Sequence, residues 1–198
     1  MLVFHPATQK PELETAVLRY RYCPYCGKLL TGRPGREKIH PYCDGCQESF
    51  YRNPTVGVAV VVVEGDSVLL ARRLGSYAGM WCIPCGYVEW NEEVRDAARR
   101  EMKEETGLET EIGPVFAVHS NFHDRDRQTV GIWFWGRKIG GELRHGSDAS
   151  EVGFFRIDAL PDAMAFPTDL MVCEKLRHLI RSGSIPVWLA SYPESEWT

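Results

Sequence analysis

The chain has 198 residues, 44% hydrophobic and 25% charged, with a formal net charge of −4 at pH 7. Those figures describe a globular protein with room for one good core and a small appendage, and they exclude the basic character that broad nucleic-acid affinity needs. The apolar run Val56 to Val63 is too short to span a bilayer, and the opening stretch MLVFHPATQKPELETA lacks the order of a secretory signal. A cytoplasmic protein with no membrane partner is therefore expected. Seven cysteines, an odd number, favour reduced thiols and metal ligation over disulfides.

Residues 1–19 read as an N-terminal extension carrying Pro6 and Pro11, with a short helix in ELETAVLRY. In residues 20–53, Cys23 and Cys26 precede Cys43 and Cys46, with 16 residues between the pairs and Gly or aromatic residues beside each. Four thiolates close a tetrahedral structural site with no position left for substrate. A segment this short has no core of its own, so the metal would contribute much of its folding energy. The expectation is a zinc ribbon, with iron the other metal the ligands accept. Arg21, Lys28, Arg33, Arg36 and Lys38 give the segment some positive charge, too little in a net acidic chain to make nucleic acid an expected partner.

Asn53-Pro54 marks a boundary, and a second domain is read over residues 54–183. Val56 to Val63 is a β-branched run, a strand covered on both faces, and Glu64-Gly65-Asp66 turns it into Ser67 to Arg72 as a hairpin. Arg72 and Arg73 at the strand end can reach a phosphate or simply be solvated or paired. In GMWCIPCGYVEW, Cys82 and Cys85 form a third Cys-x-x-Cys, readable as redox-active or metal-binding, or as two small thiols filling a tight loop.

A helix follows, with Asn91 as its expected N-cap, Glu92 and Glu93 in its first turn and Gly107 as its terminator. At helical spacing Val94, Ala97, Ala98 and Leu108 share one sector with Glu101, Glu104 and Glu105. The apolar side thus becomes a triple-carboxylate side. Such a cluster either lies on a solvated face or is neutralised by a cation, and hard oxygen ligands suit Mg²⁺ or Mn²⁺.

Beyond the helix, Ile112 to Asn121 and Thr129 to Ile139 read as paired strands around the charged turn FHDRDRQ, either a plain solvated hairpin or a turn over the site, where Phe122, His123, Asp126 and Arg127 are candidates to touch a substrate. Glu151 to Ile157 forms a short strand. Thr168 to Arg181 forms a helix whose expected buried stripe is Leu170, Met171, Cys173, Leu176 and Leu179/Ile180. The tail, residues 184–198, is aromatic enough to dock on its own core or across a neighbouring subunit, which makes a homodimer an expectation. The order of elements suits an α/β sandwich with a mixed sheet between helices.

Gly86, Glu92, Arg100, Glu101, Met102, Glu104, Glu105, Gly107 and Leu108 together resemble the signature of the Nudix hydrolases. Trp81, Ile83 and Pro84 also match the loop that precedes it, while Cys85 stands where a small residue, often Gly, is usual. The resemblance implies a Nudix-type α/β/α sandwich and a metal-dependent hydrolase acting on a diphosphate joined to a nucleoside. It implies Mg²⁺ or Mn²⁺ at Glu101, Glu104, Glu105 and Gly86, and Arg100 orienting a glutamate through a salt bridge. The base is expected to be Glu105 or Glu104, then Glu151. With the ribbon and the junction QESFYRNPTV, the chain is similar to NADH pyrophosphatases and to ribbon-bearing relatives of plant FAD and ADP-ribose pyrophosphatases. It lacks the Ser-Gln-Pro-Trp-Pro-Phe segment of the first group, and its AMAFPTD, Ala163 to Asp169, resembles the Leu-Ala-Phe-Pro segment of the second. ADP-ribose or FAD is thus expected ahead of NADH. A triphosphate substrate, or a non-catalytic ribbon module, is the alternative. Arg72, Arg127, Phe122, Trp133 and Phe166 are the candidates for holding the rest of the substrate; each of the three aromatics can equally be core, Trp133 above all because it lies in an alternating strand.

Overall fold

The computed structural model describes residues 20–34, 39–124 and 127–198. The helix expected in ELETAVLRY, together with Arg36, Lys38 and Asp126, lies outside the described residues. The chain divides into two compact units, the first ending at Pro54 and the second running from Thr55 to Thr198.

In the first unit β1 (Thr31–Pro34), β2 (Ile39–Cys43) and β3 (Glu48–Ser49) form an antiparallel sheet. Cys23 and Cys26 lie on a tight turn closed by the Gly27 N–H on the Cys23 carbonyl, 2.9 Å. Gly27 has φ +71°, a conformation that costs glycine little. Its apolar centre is only Cys23, Leu30 and Cys43 with Phe50 packed against them.

The second unit is built on β4 (Thr55–Glu64), whose valines feed two cores at once. Its sheet runs in the order β10 (Ala149–Arg156), β5 (Ser67–Arg73), β4, β9 (Thr129–Gly141), β8 (Leu108–Asn121). β4 and β9 are parallel and the other neighbours antiparallel, so the sheet is mixed as expected. Short strands β6 (Trp81–Cys82) and β7 (Cys85–Tyr87) add to β5 and β4. Side chains alternate across a strand. Val58, Val60 and Val62 therefore join Leu69, Ile112 and Phe134 beneath Ala97, Ala98 and Met102 of α1 (Val94–Thr106). Ala59, Val61, Val68, Leu70, Trp133 and Trp135 join Val172, Cys173 and Leu176 of α2 (Pro167–Arg181) on the other face. Helices on both faces explain why β4 is a continuous apolar run rather than an alternating one. Each buried Val or Leu contributes about 1.5–3 kcal/mol.

Two expectations need correction, and one of the two alternatives for the tail is met. Asn91 is not the N-cap: it sits in the preceding turn at φ +63°, and Glu93 caps α1 by accepting the Arg95 N–H at 2.6 Å. Leu170 and Met171 are exposed, and the buried face of α2 is Thr168, Asp169, Val172, Cys173 and Leu176. With Asp169, Val172, Cys173 and Leu176 inward at helical spacing, Leu170 and Met171 fall on the outer side. The tail docks on its own core: α3 (Ile185–Ala190) sets the Trp188 ring 5.2 Å from Phe116 and 5.7 Å from Trp135, and Ile112 and Thr198 exchange backbone hydrogen bonds of 2.8 and 2.9 Å. No helix of the described residues is long and apolar enough to cross a membrane.

Candidate active site and zinc ribbon

β7 pairs with β4, setting Gly86 opposite Val58 and leading the chain through a turn into α1. At Gly86 the loop and the helix meet. A Cβ there would stand 1.9 Å from the Glu101 carboxyl carbon and 2.2 Å from each of its oxygens, so the carboxylate occupies the space a side chain would need. Arg100 ties the same parts together. It donates to Glu92 at 2.8 and 2.9 Å, to Glu101 at 2.7 Å, to Glu104 at 3.3 Å and to the Tyr87 carbonyl at 3.1 Å. Those bonds, helped by the Glu89 N–H, hold the Glu92 carboxyl down at about 2.

The three helix carboxylates share one sector of α1 but differ in exposure. Glu105 is buried, Glu101 half-buried and Glu104 exposed, because α1 presses Ala98, Met102 and Glu105 onto the sheet and leaves Glu104 at the margin. Glu105 accepts the Cys85 N–H at 2.9 Å. Burial pushes its carboxyl up to about 7, against that hydrogen bond and the nearby Arg73, while Glu101 adds repulsion. Glu101 is raised as well, by burial first, with Arg100 opposing. The last carbonyls of α1 find donors in the loop after β9: Gly146 N–H meets the Glu105 carbonyl at 3.0 Å and Arg144 N–H meets Thr106 at 2.9 Å. Gly107, at φ +72°, closes the helix as expected. The turn bearing Glu104 and Glu105 is thereby fastened at both ends.

The strand-end arginines part company. Arg72 is exposed, pairs across β10 with Glu151 at 3.7 Å and donates to the Gly79 carbonyl at 3.0 Å. Arg73 turns in, with Nη1 3.7 Å from Cys82 Sγ and 3.8 Å from Cys85 Sγ, and its guanidinium 5.1 Å from the Phe166 ring centre. Cys82 and Cys85 are unbridged and line the guanidinium.

AMAFPTD runs beside Trp81, whose N–H meets the Ala163 carbonyl at 2.8 Å and whose carbonyl takes the Ala165 N–H at 2.7 Å. At its end the buried Asp169 accepts the Ile83 N–H at 2.9 Å and the Trp133 indole N–H at 3.0 Å, with burial pushing its carboxyl up to about 7. Trp133 is therefore core, 5% exposed, and not a stacking surface. Phe166 is half-buried and meets the rings of Tyr77 and His123, all three centroid separations being 5.5 Å. Phe122 is half-buried, and Arg127 is exposed with its backbone N–H on Asp124 at 3.1 Å. Tyr77 and the Cys85 N–H were missed by sequence reasoning. The one signal available for Tyr77 was the Gly-Ser-Tyr-Ala-Gly composition of its loop.

In the ribbon the Sγ atoms of Cys23, Cys26, Cys43 and Cys46 all lie within 4.8 Å of one another. The Cys23–Cys46 and Cys26–Cys43 separations are 3.8 and 3.4 Å. A tetrahedral ion with Zn–S bonds of about 2.3 Å needs edges of about 3.8 Å, so the four thiols fit zinc. Among the described residues this is the cluster that brings three or more such ligand atoms so close.

A mixed sheet between two helices, with a Gly–Glu–Arg-Glu–Glu-Glu loop and helix at its edge, is the architecture of a Nudix domain. The NUDIX domain family model matches residues 53–173, and the chain belongs to that family. It is 34% identical over 151 residues to a protein named ADP-ribose pyrophosphatase from Methanocaldococcus jannaschii, covering 75% of this chain and 88% of that one. It is 29% identical over 151 residues to a NAD-capped RNA hydrolase NudC from Stutzerimonas stutzeri, covering 76% of this chain but spanning only 53% of that protein's length. Among solved structures, a NUDIX hydrolase from Nitrosomonas europaea superposes with a TM-score of 0.70 at 26% identity, over 82% of this chain and 92% of that one.

Proposed function

We propose that this chain is a divalent-metal-dependent hydrolase that splits the diphosphate of an ADP-ribose-type compound into a nucleoside monophosphate and a second phosphate ester. The observation that carries the reading is the Glu101 carboxylate seated in the side-chain space of Gly86, beside a buried Glu105 whose carboxyl is raised. Crowded carboxylates raised by burial and by one another suit a cation, and the glycine cradle leaves the main chain at Gly86 as a fourth neighbour. Glu101, Glu104 and Glu105, with Gly86, are the residues to hold Mg²⁺ or Mn²⁺, which there supplies charge neutralisation of the diphosphate and activation of water. Arg100 orients Glu101, and the Cys85 N–H orients Glu105. Glu105 or Glu104 takes the proton of the attacking water. Glu151, paired with Arg72, is the second choice. The likeness to a protein named ADP-ribose pyrophosphatase, over 88% of its length, supports the substrate class.

The test is one panel at equal concentration with Mg²⁺ and then Mn²⁺, containing ADP-ribose, FAD, NADH, NAD-capped RNA, UDP-glucose and the common nucleoside triphosphates. The expected result is a kcat/KM for ADP-ribose at least ~10-fold above the rest, about 1.4 kcal/mol of discrimination, abolished by chelator and by Glu104→Gln/Glu105→Gln. Full turnover in excess chelator or in the double variant refutes the metal mechanism. A preference for triphosphates or for capped RNA replaces the substrate class. Unchanged rate and lower pKa in Glu151→Gln removes Glu151 as base.

A further inference from the structure

Three aromatic rings come together on the second unit without belonging to either of its cores. Tyr77 comes from the β5–β6 loop, His123 from the β8–β9 turn and Phe166 from the entry to α2, and each ring centre is 5.5 Å from the other two. Neither packed core includes any of them. Tyr77 is 39% exposed and is held at φ +61°. A bulky residue adopts that conformation only where the surroundings enforce it. The enforcement is visible: Gly79 N–H returns to the Arg73 carbonyl at 2.9 Å and Met80 N–H to the Tyr77 carbonyl at 3.0 Å. Arg73 joins the cluster to the candidate active site, with its guanidinium over Phe166, its Nη1 on Cys85 Sγ, and Glu105 within its electrostatic reach.

His123 has a defined hydrogen-bonding polarity. Its Nδ1 is bonded to Asn121 Oδ1. An amide oxygen only accepts, so the proton sits on Nδ1. Burial lowers the pKa of the ring and so favours its neutral form, with Asp124 opposing. No hydrogen bond to Nε2 occurs among the described residues, so with the proton on Nδ1 a ligand that meets Nε2 must bring a donor.

We propose that Tyr77, Phe166 and His123 form the base-recognition surface of this site. Tyr77 and Phe166 supply ring contact, and His123 Nε2 accepts an N–H from the exocyclic amine of an adenine-type base. This rests on the reading of the chain as a hydrolase of nucleoside-diphosphate-linked compounds and adds which half of the substrate it selects. A hypoxanthine base, with a carbonyl in place of the amine, sets two acceptors face to face and is rejected.

The experiment measures equilibrium binding of AMP and of IMP to the full chain by calorimetry, with no turnover required. AMP is expected to bind at least ~10-fold tighter than IMP. His123→Ala is expected to bring the two within about twofold of each other. Tyr77→Ala weakens both at least ~5-fold, while Tyr77→Phe restores them, because ring contact rather than the hydroxyl is what it supplies. Equal affinities for AMP and IMP, an unchanged ratio in His123→Ala, or no AMP binding at millimolar concentration each overturn the proposal. The two readings fail separately. Discrimination between AMP and IMP by a chain that hydrolyses no diphosphate keeps the base site and retires the hydrolase. Hydrolysis of ADP-ribose with no discrimination does the reverse.

Discussion

Replacing Gly86 by Ala adds one methyl group where the structure leaves no room for it. The backbone cannot yield, because Gly86 is paired with Val58 in the central strand and Val58 is 2% exposed. The Glu101 carboxyl carbon, 1.9 Å from the new Cβ, must retreat by about 1.6 Å to reach ordinary carbon contact. It is the end of a flexible side chain, so the fold should survive. The loss is about one hydrogen bond to Arg100, on the order of 1 kcal/mol, or a melting-temperature drop of about 2–4 °C. The chemical cost is larger: misplacing a reacting group by about 1 Å costs about 10²-fold. We therefore expect kcat/KM on ADP-ribose to fall at least ~10²-fold, about 2.7 kcal/mol, with a weaker dependence on added Mg²⁺. Initial rates across a Mg²⁺ titration, beside a thermal melt, separate the two effects. Activity within about threefold of wild type at an unchanged Mg²⁺ midpoint would show that Glu101 need not sit at Gly86. A collapse of the melt would make Gly86 a residue of the fold alone.

Cys43→Ser/Cys46→Ser should lose about one zinc per chain and make residues 20–53 protease-sensitive while the Nudix domain keeps its melt; a ribbon that stays resistant without metal refutes the structural role. Trp188→Ala removes the ring set against Phe116 and Trp135 and should lower stability by about 2 kcal/mol in urea unfolding; an unchanged midpoint means the tail does not brace the core. Asp169 has its carboxyl raised from 3.8 to about 7, so between those values the folded chain holds a proton the unfolded chain has shed, and its contribution is most favourable below about pH 4, declines as pH rises and is flat above about 7. Asp169→Asn should flatten that decline while costing about 1–3 kcal/mol, since one amide oxygen cannot serve both donors; urea midpoints with the same pH slope as wild type contradict the assignment.

Much of the fold was legible because the signals were local and strong. Val56 to Val63 has no polar face, which only a strand covered twice can satisfy, and both of its faces are indeed packed under helices. Gly107 marked the end of α1 because a left-handed residue was needed there. The failures share a cause. Asn91 was a good N-cap by composition, but the turn before α1 has its own requirements, and Glu93 reaches the Arg95 N–H instead. Leu170 and Met171 looked like core because apolar residues were assumed to face inward; the buried stripe instead runs through Asp169, Val172, Cys173 and Leu176. No periodicity rule places an acid on the buried face, since that depends on donors from Ile83 and the distant Trp133.

The candidate site divides along the same line. Glu101, Glu104, Glu105, Arg100 and Gly86 lie within 20 residues of one another in the chain, and a loop followed by a helix is enough to bring them together. Arg72 and Arg73 face opposite sides of β5, as neighbours on a strand must, but two adjacent arginines at a strand end do not show in the sequence which of them faces inward. One arginine is left at the surface and its neighbour is brought to the two thiols. Tyr77, His123 and Phe166 come from three separate connections, 46 and 43 residues apart in turn along the chain, and meet only in the folded structure. A residue motif can encode what touches the diphosphate, since that part is common to many substrates. What selects among substrates lies on connections that a strand-and-helix pattern leaves free, and its polarity here turns on a single contact, Asn121 to His123.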